Sequence, residues 1–260
     1  MMRILPNYKV HGENGRPVLF FGGMMQPHSL LGPFVEMMVA QGFQIIRIGY
    51  RGHHNPEESD FCLEDIAADA IAVLDHLEVE KIDVIGEALG GTIALAMAQN
   101  YPDRINSICV SGVISKRDAE ITKMFLKWGK TLQQQGIEQL ITHIIPDVFS
   151  KKWALDNPNK VAQVAKQMEE ERTKEGLLAL FMSTQKFRFS KDKVKAISTP
   201  ALIIAGLLDT IVPPSHAFNL HKLLPNSQLV KFECGHAVSC ECPQQTLETY
   251  EQFVGALHKK

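Results

Sequence analysis

The sequence predicts an α/β protein: a doubly wound, mostly parallel sheet with a helical cap inserted late in the sheet. Three observations lead there. Short apolar runs alternate with amphipathic helical segments from Pro17 to about Gly112. The same alternation resumes at Pro200. Between them, from about Ser115 to Ser198, only helical periodicity is present. Strands alternating with helices over short links imply parallel pairing, with helices covering both faces. A helical block entering late is most simply placed over the carboxyl-end edge of the strands, where such sheets bind ligands. The expected organisation is a first core part (residues 1–114), a helical cap insertion (115–198) and a second core part (199–260).

The elements follow in order. PVLFFGG (Pro17 to Gly23) is a buried strand that runs into paired glycines and a tight turn. SLLGPFVEMMVAQG has helical spacing, with Leu31, Phe34, Met37 and Met38 on one face and Gly42 as the stop. FQIIRIGYRG reads as a second strand. LEDIAADAIAVLDHL, Leu63 to Leu77, is an amphipathic helix whose first turn is acidic, as the helix dipole favours. KIDVIG is a third strand, GGTIALAMAQNYP a helix closed before Pro102, and INSICVSG a fourth strand. In the insertion, ITKMFLKWGKTLQQQG, VAQVAKQMEEER and EGLLALFMSTQKF have helical periodicity. PALIIAGLLD restores a strand, HAFNLHKLLP gives a helix, SQLVKFECGH another strand and TLETYEQFVGALHKK the last helix.

Composition removes several function classes. A hydrophobic fraction of 45% and a charged fraction of 22% are ordinary for a globular chain, and 260 residues bury a substantial core without disulfides. A formal net charge of −2 gives no field for nucleic acid or an acidic membrane. Five cysteines (Cys62, Cys109, Cys234, Cys240 and Cys242) lack the spacing of a disulfide framework and read as reduced thiols. Cys240-x-Cys242 near His236 invites a metal, but structural zinc sites use wider spacing and further ligands, so no metal is expected. MMRILPNYKVHGENG has no signal-peptide core, and no run approaches the ~18 apolar residues of a membrane span. A cytoplasmic protein is expected.

The chemistry centres on VIGEALGGTIAL, Val84 to Leu95. A strand that reverses into a helix within a few residues puts the central residue in a strained backbone region, and glycines two positions to either side, Gly86 and Gly90, leave room for it. Gly91 lets the helix approach the sheet. This is the G-x-S-x-G spacing of a nucleophile elbow, yet its centre is Ala88, which has no oxygen. Glu87 beside it reads as a carboxylate at the helix N-terminus. Downstream, Asp209 ends one strand and His236 follows another, with Gly235 giving the turn. Both at strand ends, in this order, point to an acid that orients an imidazole base. Backbone N–H groups suffice to hold an oxyanion, and the candidates are those of Leu89 and Met24, or Gly23 if the register shifts by one.

On these residues the chain resembles the α/β-hydrolase family over nearly all its length. GEALGG resembles the elbow of its esterase and lactonase members, FFGGMM the strand-end segment where Gly22 replaces a common histidine, GLLDTIVPP the turn of the acid and CGHAV that of the base. RIGYRGHHNPEE resembles the family's D-x-R-G-x-G-x-S loop but departs at Gly49, His54 and Pro56. The resemblance implies hydrolysis of a carboxylic ester, lactone or thioester by a Ser-Asp-His triad, on a small-molecule substrate, without cofactor or metal. Homo-oligomerisation stays open. Met124, Phe125, Trp128, Phe181, Met182 and Phe187 form apolar stripes in the insertion, some of them candidate pocket walls.

Three explanations of Ala88 compete: a serine-to-alanine change in a working hydrolase, a naturally inert binding or receptor protein, and nucleophile-free chemistry of a lyase or cofactor-independent oxygenase kind on the Asp209–His236 pair. Losing the nucleophile of such a set costs on the order of 10⁶ in turnover and leaves the binding groups in place. One missing oxygen in an otherwise complete constellation suits deliberate deletion better than slow loss.

Overall fold

The computed structural model describes residues 5–26, 32–51, 60–169, 172–187 and 190–257. Within them the strands are β1 (Tyr8–His11), β2 (Arg16–Phe21), β3 (Phe43–Ile48), β4 (Ile82–Glu87), β5 (Ile105–Ser111), β6 (Ala201–Gly206) and β7 (Ser227–Phe232). They form one sheet in the order β1-β3-β2-β4-β5-β6-β7. β1 pairs antiparallel with β3, and every other pairing is parallel. The sequence reading had no β1: four residues on an edge, pairing on one side and half exposed, carry no continuous apolar run.

The helices are α1 (Pro33–Ala40), α2 (Leu63–His76), α3 (Leu89–Asn100), α4 (Ala119–Val148), α5 (Lys151–Asp156), α6 (Pro158–Glu169), α7 (Lys174–Lys186), α8 (Lys191–Lys195), α9 (Ser215–Leu223), α10 (Val238–Glu241) and α11 (Pro243–Leu257). Side chains alternate across the central strands. Leu19 and Phe21 of β2 join the cluster under α2 and α3, while Val18 and Phe20 join that under α1 and α11. Strands buried on both faces explain the unbroken apolar runs. α3 is buried along nearly its whole length, which explains its polar-poor sequence.

Between β5 and β6 the described residues contain helices and no strand. α4 breaks at Gly136, whose φ of 87° interrupts the helix where the run ITKMFLKWGKTLQQQG ends. The sequence-predicted helix before Gly42 is seen from Pro33; Leu31 lies outside the described residues, as do His54 and Pro56. No described helix is long and apolar enough to cross a membrane.

Candidate active site

β4 enters a reversal whose geometry is dictated by contact. A methyl group on Gly86 would lie 2.4 Å from the Gly90 carbonyl oxygen, and one on Gly90 would lie 2.2 Å from that of Phe21. No side chain fits at either position. Between them Ala88 has φ 51° and ψ −112°, a conformation L-residues avoid, at a cost of about 1–3 kcal/mol. Its N–H donates to the Ser111 carbonyl at 2.8 Å, which pins the turn to β5. α3 starts at Leu89, so the Leu89 N–H precedes the helix's first internal bond and stands at its positive end.

The acid and the base meet. Asp209 is 6% exposed; its Oδ1 accepts from the N–H groups of Ile211 (2.9 Å) and Val212 (2.8 Å), and its Oδ2 lies 2.8 Å from His236 Nδ1. Two backbone donors fix the carboxylate, leaving one oxygen for the imidazole. Burial pushes the His236 imidazole down, but Asp209 beside it and Glu87 near it reverse this, so the net shift is upward. The histidine loop is held in turn by the insertion: His236 N–H and Ala237 N–H both donate to the Val148 carbonyl at 3.0 Å. Glu241 accepts from Gly235 N–H and Ser150 N–H, each at 2.9 Å, and from the Ser150 hydroxyl at 2.5 Å.

Gly112, just past β5, locates the imidazole relative to the elbow. A methyl built on it would lie 2.8 Å from His236 Cε1 and 3.6 Å from the Ala88 nitrogen, so ring edge and elbow flank the same point. On the other side, a methyl on Gly23 would sit 3.7 Å from the Ala88 methyl. The turn after β2 is braced by Tyr50, whose buried hydroxyl donates to the Gly22 carbonyl at 2.5 Å. Met24, Ala88, Leu89 and His236 all line one cavity of about 470 Å³.

Each sequence candidate now has a place. Asp209, His236, Ala88 and the segments of Leu89 and Met24 converge. Of the insertion's apolar residues, Phe125, Trp128, Phe181 and Phe187 line the cavity, whereas Met182 is 56% exposed and Met124 packs against the core cluster. Phe125 packs edge-on against Phe181 (5.9 Å between centroids) and tilted against Trp128 (5.7 Å). Glu87 corrects the reading from sequence. It is the last residue of β4, and its carboxylate accepts from Ser239 instead of capping α3. A four-residue helix, α10, carries Ser239 to it, and sequence periodicity does not register so short an element. Gly112, Glu241 and Arg117, which also lines the cavity, escaped the sequence reading. A glycine closing the strand next to the elbow strand was the available signal for Gly112. All five cysteines are free, and among the described residues no group of three or more His, Cys, Asp or Glu is placed to hold a metal ion.

Comparison with known proteins agrees with this architecture. The rhodomycin D methylesterase of Streptomyces peucetius is 28% identical, covering 85% of this chain and 84% of its own. The 3-oxoadipate enol-lactonase 1 of Acinetobacter baylyi is 23% identical over 94% of this chain and 91% of its own. Among solved structures, a thermophilic esterase from Thermogutta terrifontis superposes with a TM-score of 0.85 at 22% identity, covering 97% of this chain and 93% of that one. The family model described as the alpha/beta hydrolase fold matches residues 10–241, and with a seven-stranded sheet, the reversal at Ala88 and the Asp209–His236 pair on the same framework, the chain belongs to the α/β-hydrolase family.

Proposed function

We propose that this chain carries the site of a serine-type carboxylic ester hydrolase, acting on an ester, lactone or thioester, and that Ala88 silences it. The observation that carries the reading is the 2.8 Å contact of Asp209 Oδ2 with His236 Nδ1, on an imidazole whose edge stands at the Ala88 elbow. Methylesterase and enol-lactonase relatives support the ester class. A largely apolar cavity of about 470 Å³ suits a small-molecule acyl or alcohol group.

With a hydroxyl at position 88, the oxygen attacks the substrate carbonyl as His236 Nε2 takes its proton. Asp209 holds the ring in one tautomer and stabilises the imidazolium. The N–H groups of Leu89 and Met24 receive the oxyanion, and the imidazolium returns its proton to the leaving alkoxide or thiolate. Water, deprotonated by His236, then attacks the acyl-enzyme, and the elbow oxygen leaves with the proton. The steps call for no metal or organic cofactor.

The test is Ala88→Ser assayed on short p-nitrophenyl esters and simple lactones. Turnover about 10⁵–10⁶-fold above the alanine chain is expected. A correctly folded Ala88→Ser protein without hydrolysis of either class overturns the reading.

A second reading, a natural binding protein, has one observation in its favour: the ligand-sized cavity persists without the nucleophile. It requires tight ligand binding by the alanine chain and no turnover after Ala88→Ser. Nucleophile-free chemistry would instead show as turnover by the alanine chain itself.

A further inference from the structure

Glu87 stands one residue before Ala88, yet its carboxylate serves the loop that carries His236. Ser239 N–H donates to Oε1 at 3.0 Å, and the Ser239 hydroxyl donates to Oε2 at 2.9 Å. Ser239 lies three residues beyond His236, on the short helix that follows the loop. These two bonds tie the elbow to the histidine loop from the β4 side, while the Val148 carbonyl and Glu241 hold the same loop from the insertion side. Burying a carboxylate is costly unless it is hydrogen-bonded and faces positive charge. Glu87 has its donors in Ser239, and positive charge in Arg47 of β3 and in His236 when protonated.

We infer that Glu87 is a positioning residue for His236: it fixes the histidine loop through Ser239 and sets a second negative charge beside the imidazole. The inference deepens the proposed function and rests on His236 being its base. Asp209 orients the ring through Nδ1, whereas Glu87 acts through the loop backbone and through space. The charged and titratable groups involved come from three strands, the turn after β6 and the histidine loop. His236 faces Asp209 after β6 and Glu87 on β4. Glu87 interacts through space with Arg47 on β3, Tyr50 just after it, Cys109 on β5, and Cys234 and Cys240 on either side of His236. Burial lowers Arg47 to about 10, and the nearby Tyr50 and Glu87 oppose that fall. Burial pushes Glu87 up, and Ser239, His236 and Arg47 pull it only partly back, so its net shift is upward; within that balance the imidazolium and this carboxylate favour each other's charged forms.

The experiment follows the His236 ring signals by NMR across pH in the chain as it stands and in Glu87→Gln, Ser239→Ala and Asp209→Asn. Glu87→Gln is expected to lower the His236 midpoint, by less than Asp209→Asn does. Ser239→Ala, which keeps the Glu87 carboxyl group and the backbone donor but loses the hydroxyl that helps hold it ionised, is expected to lower the midpoint by less than Glu87→Gln. An unmoved midpoint in a folded Glu87→Gln protein overturns the inference. Should that variant fail to fold, the Glu87 carboxyl carbon in the parent chain decides: a titration step at the His236 midpoint supports the inference, and none overturns it. In the Ala88→Ser background, Glu87→Gln should move the acid limb of kcat/KM to lower pH and reduce the plateau severalfold, with KM nearly unchanged. A reduced plateau with an unmoved limb is a merely structural effect and overturns the inference. Absence of hydrolysis in Ala88→Ser itself sinks the esterase reading and leaves the ring titration to decide Glu87.

Discussion

At Ala88 a single methyl group sits on a backbone that an alanine has no reason to choose. Its φ of 51° is held by the Ser111 carbonyl and by glycines on both sides. The strain of such a turn serves to present a reactive atom, and here it presents none. Ala88→Gly should therefore stabilise the chain by about 1 kcal/mol, the relief of strain exceeding the entropy glycine adds to the unfolded state. Urea unfolding checks this, and a loss of stability would show that the reversal costs little. At His236 the folded pKa is raised above the unfolded value. Its contribution to stability is thus complete below about pH 6.5, the ordinary histidine value, and is lost as pH rises through the raised midpoint. Asp209→Asn should cost more stability at pH 6 than at pH 9. Equal losses at both would mean that Asp209 acts only through the Ile211 and Val212 amides.

At the scale of elements, the site is a set of strand ends held at fixed separation. A side chain on Gly90 meets backbone, not a movable group, so Gly90→Ala should cost about 3 kcal/mol. Gly112→Ala meets the imidazole itself, at a positive φ of 61°; it should displace the His236 ring and also destabilise the fold by about 1–2 kcal/mol. Ring chemical shifts together with thermal unfolding separate the two effects. A second histidine joins elements away from the elbow. His216 of α9 is buried, and its Nδ1 accepts from Ser115 N–H at 3.2 Å, just ahead of α4. Burial lowers its pKa, with Lys116 adding to this and Asp118 and Asp209 opposing it. Its contribution is therefore present above the ordinary histidine value and lost as pH falls through the lowered one. His216 and His236 thus push stability in opposite directions with pH.

At the scale of the molecule, the helices between β5 and β6 share the cavity wall with the sheet edge. α6, like α5, has no fully buried residue, and its Val164 and Met168 line the cavity. Local stability follows buried contact, so α6 amides should exchange with solvent orders of magnitude faster than those of β4 or β5, and a cavity ligand should slow them. Hydrogen exchange by mass spectrometry reads both. Exchange in α6 as slow as in the central strands would show a rigid wall. Phe181 packs against Phe125 at the cavity wall, and Phe181→Ala should cost about 3 kcal/mol and widen the acceptance of bulky esters once Ala88→Ser restores turnover.

The sequence by itself determined the layered sheet, because buried parallel strands leave unbroken apolar runs such as VLFF and ALII that no other element of this length explains. It determined the elbow too, since only glycine survives where backbone touches backbone, and it named Asp209 and His236 from their places after strands. What it did not contain are contacts between residues far apart in the chain. Glu87 looked like a helix-end carboxylate, and only folding showed it bonded to Ser239, 152 residues away. Val148 and Glu241 holding the histidine loop, and Phe125, Trp128, Phe181 and Phe187 turning to the cavity while Met182 faces outward, were decided by tertiary structure. The physical reason is one of range: periodicity and turn chemistry act over a few neighbouring residues, whereas a buried charge or an apolar wall takes its partners from whichever segments the sheet brings alongside.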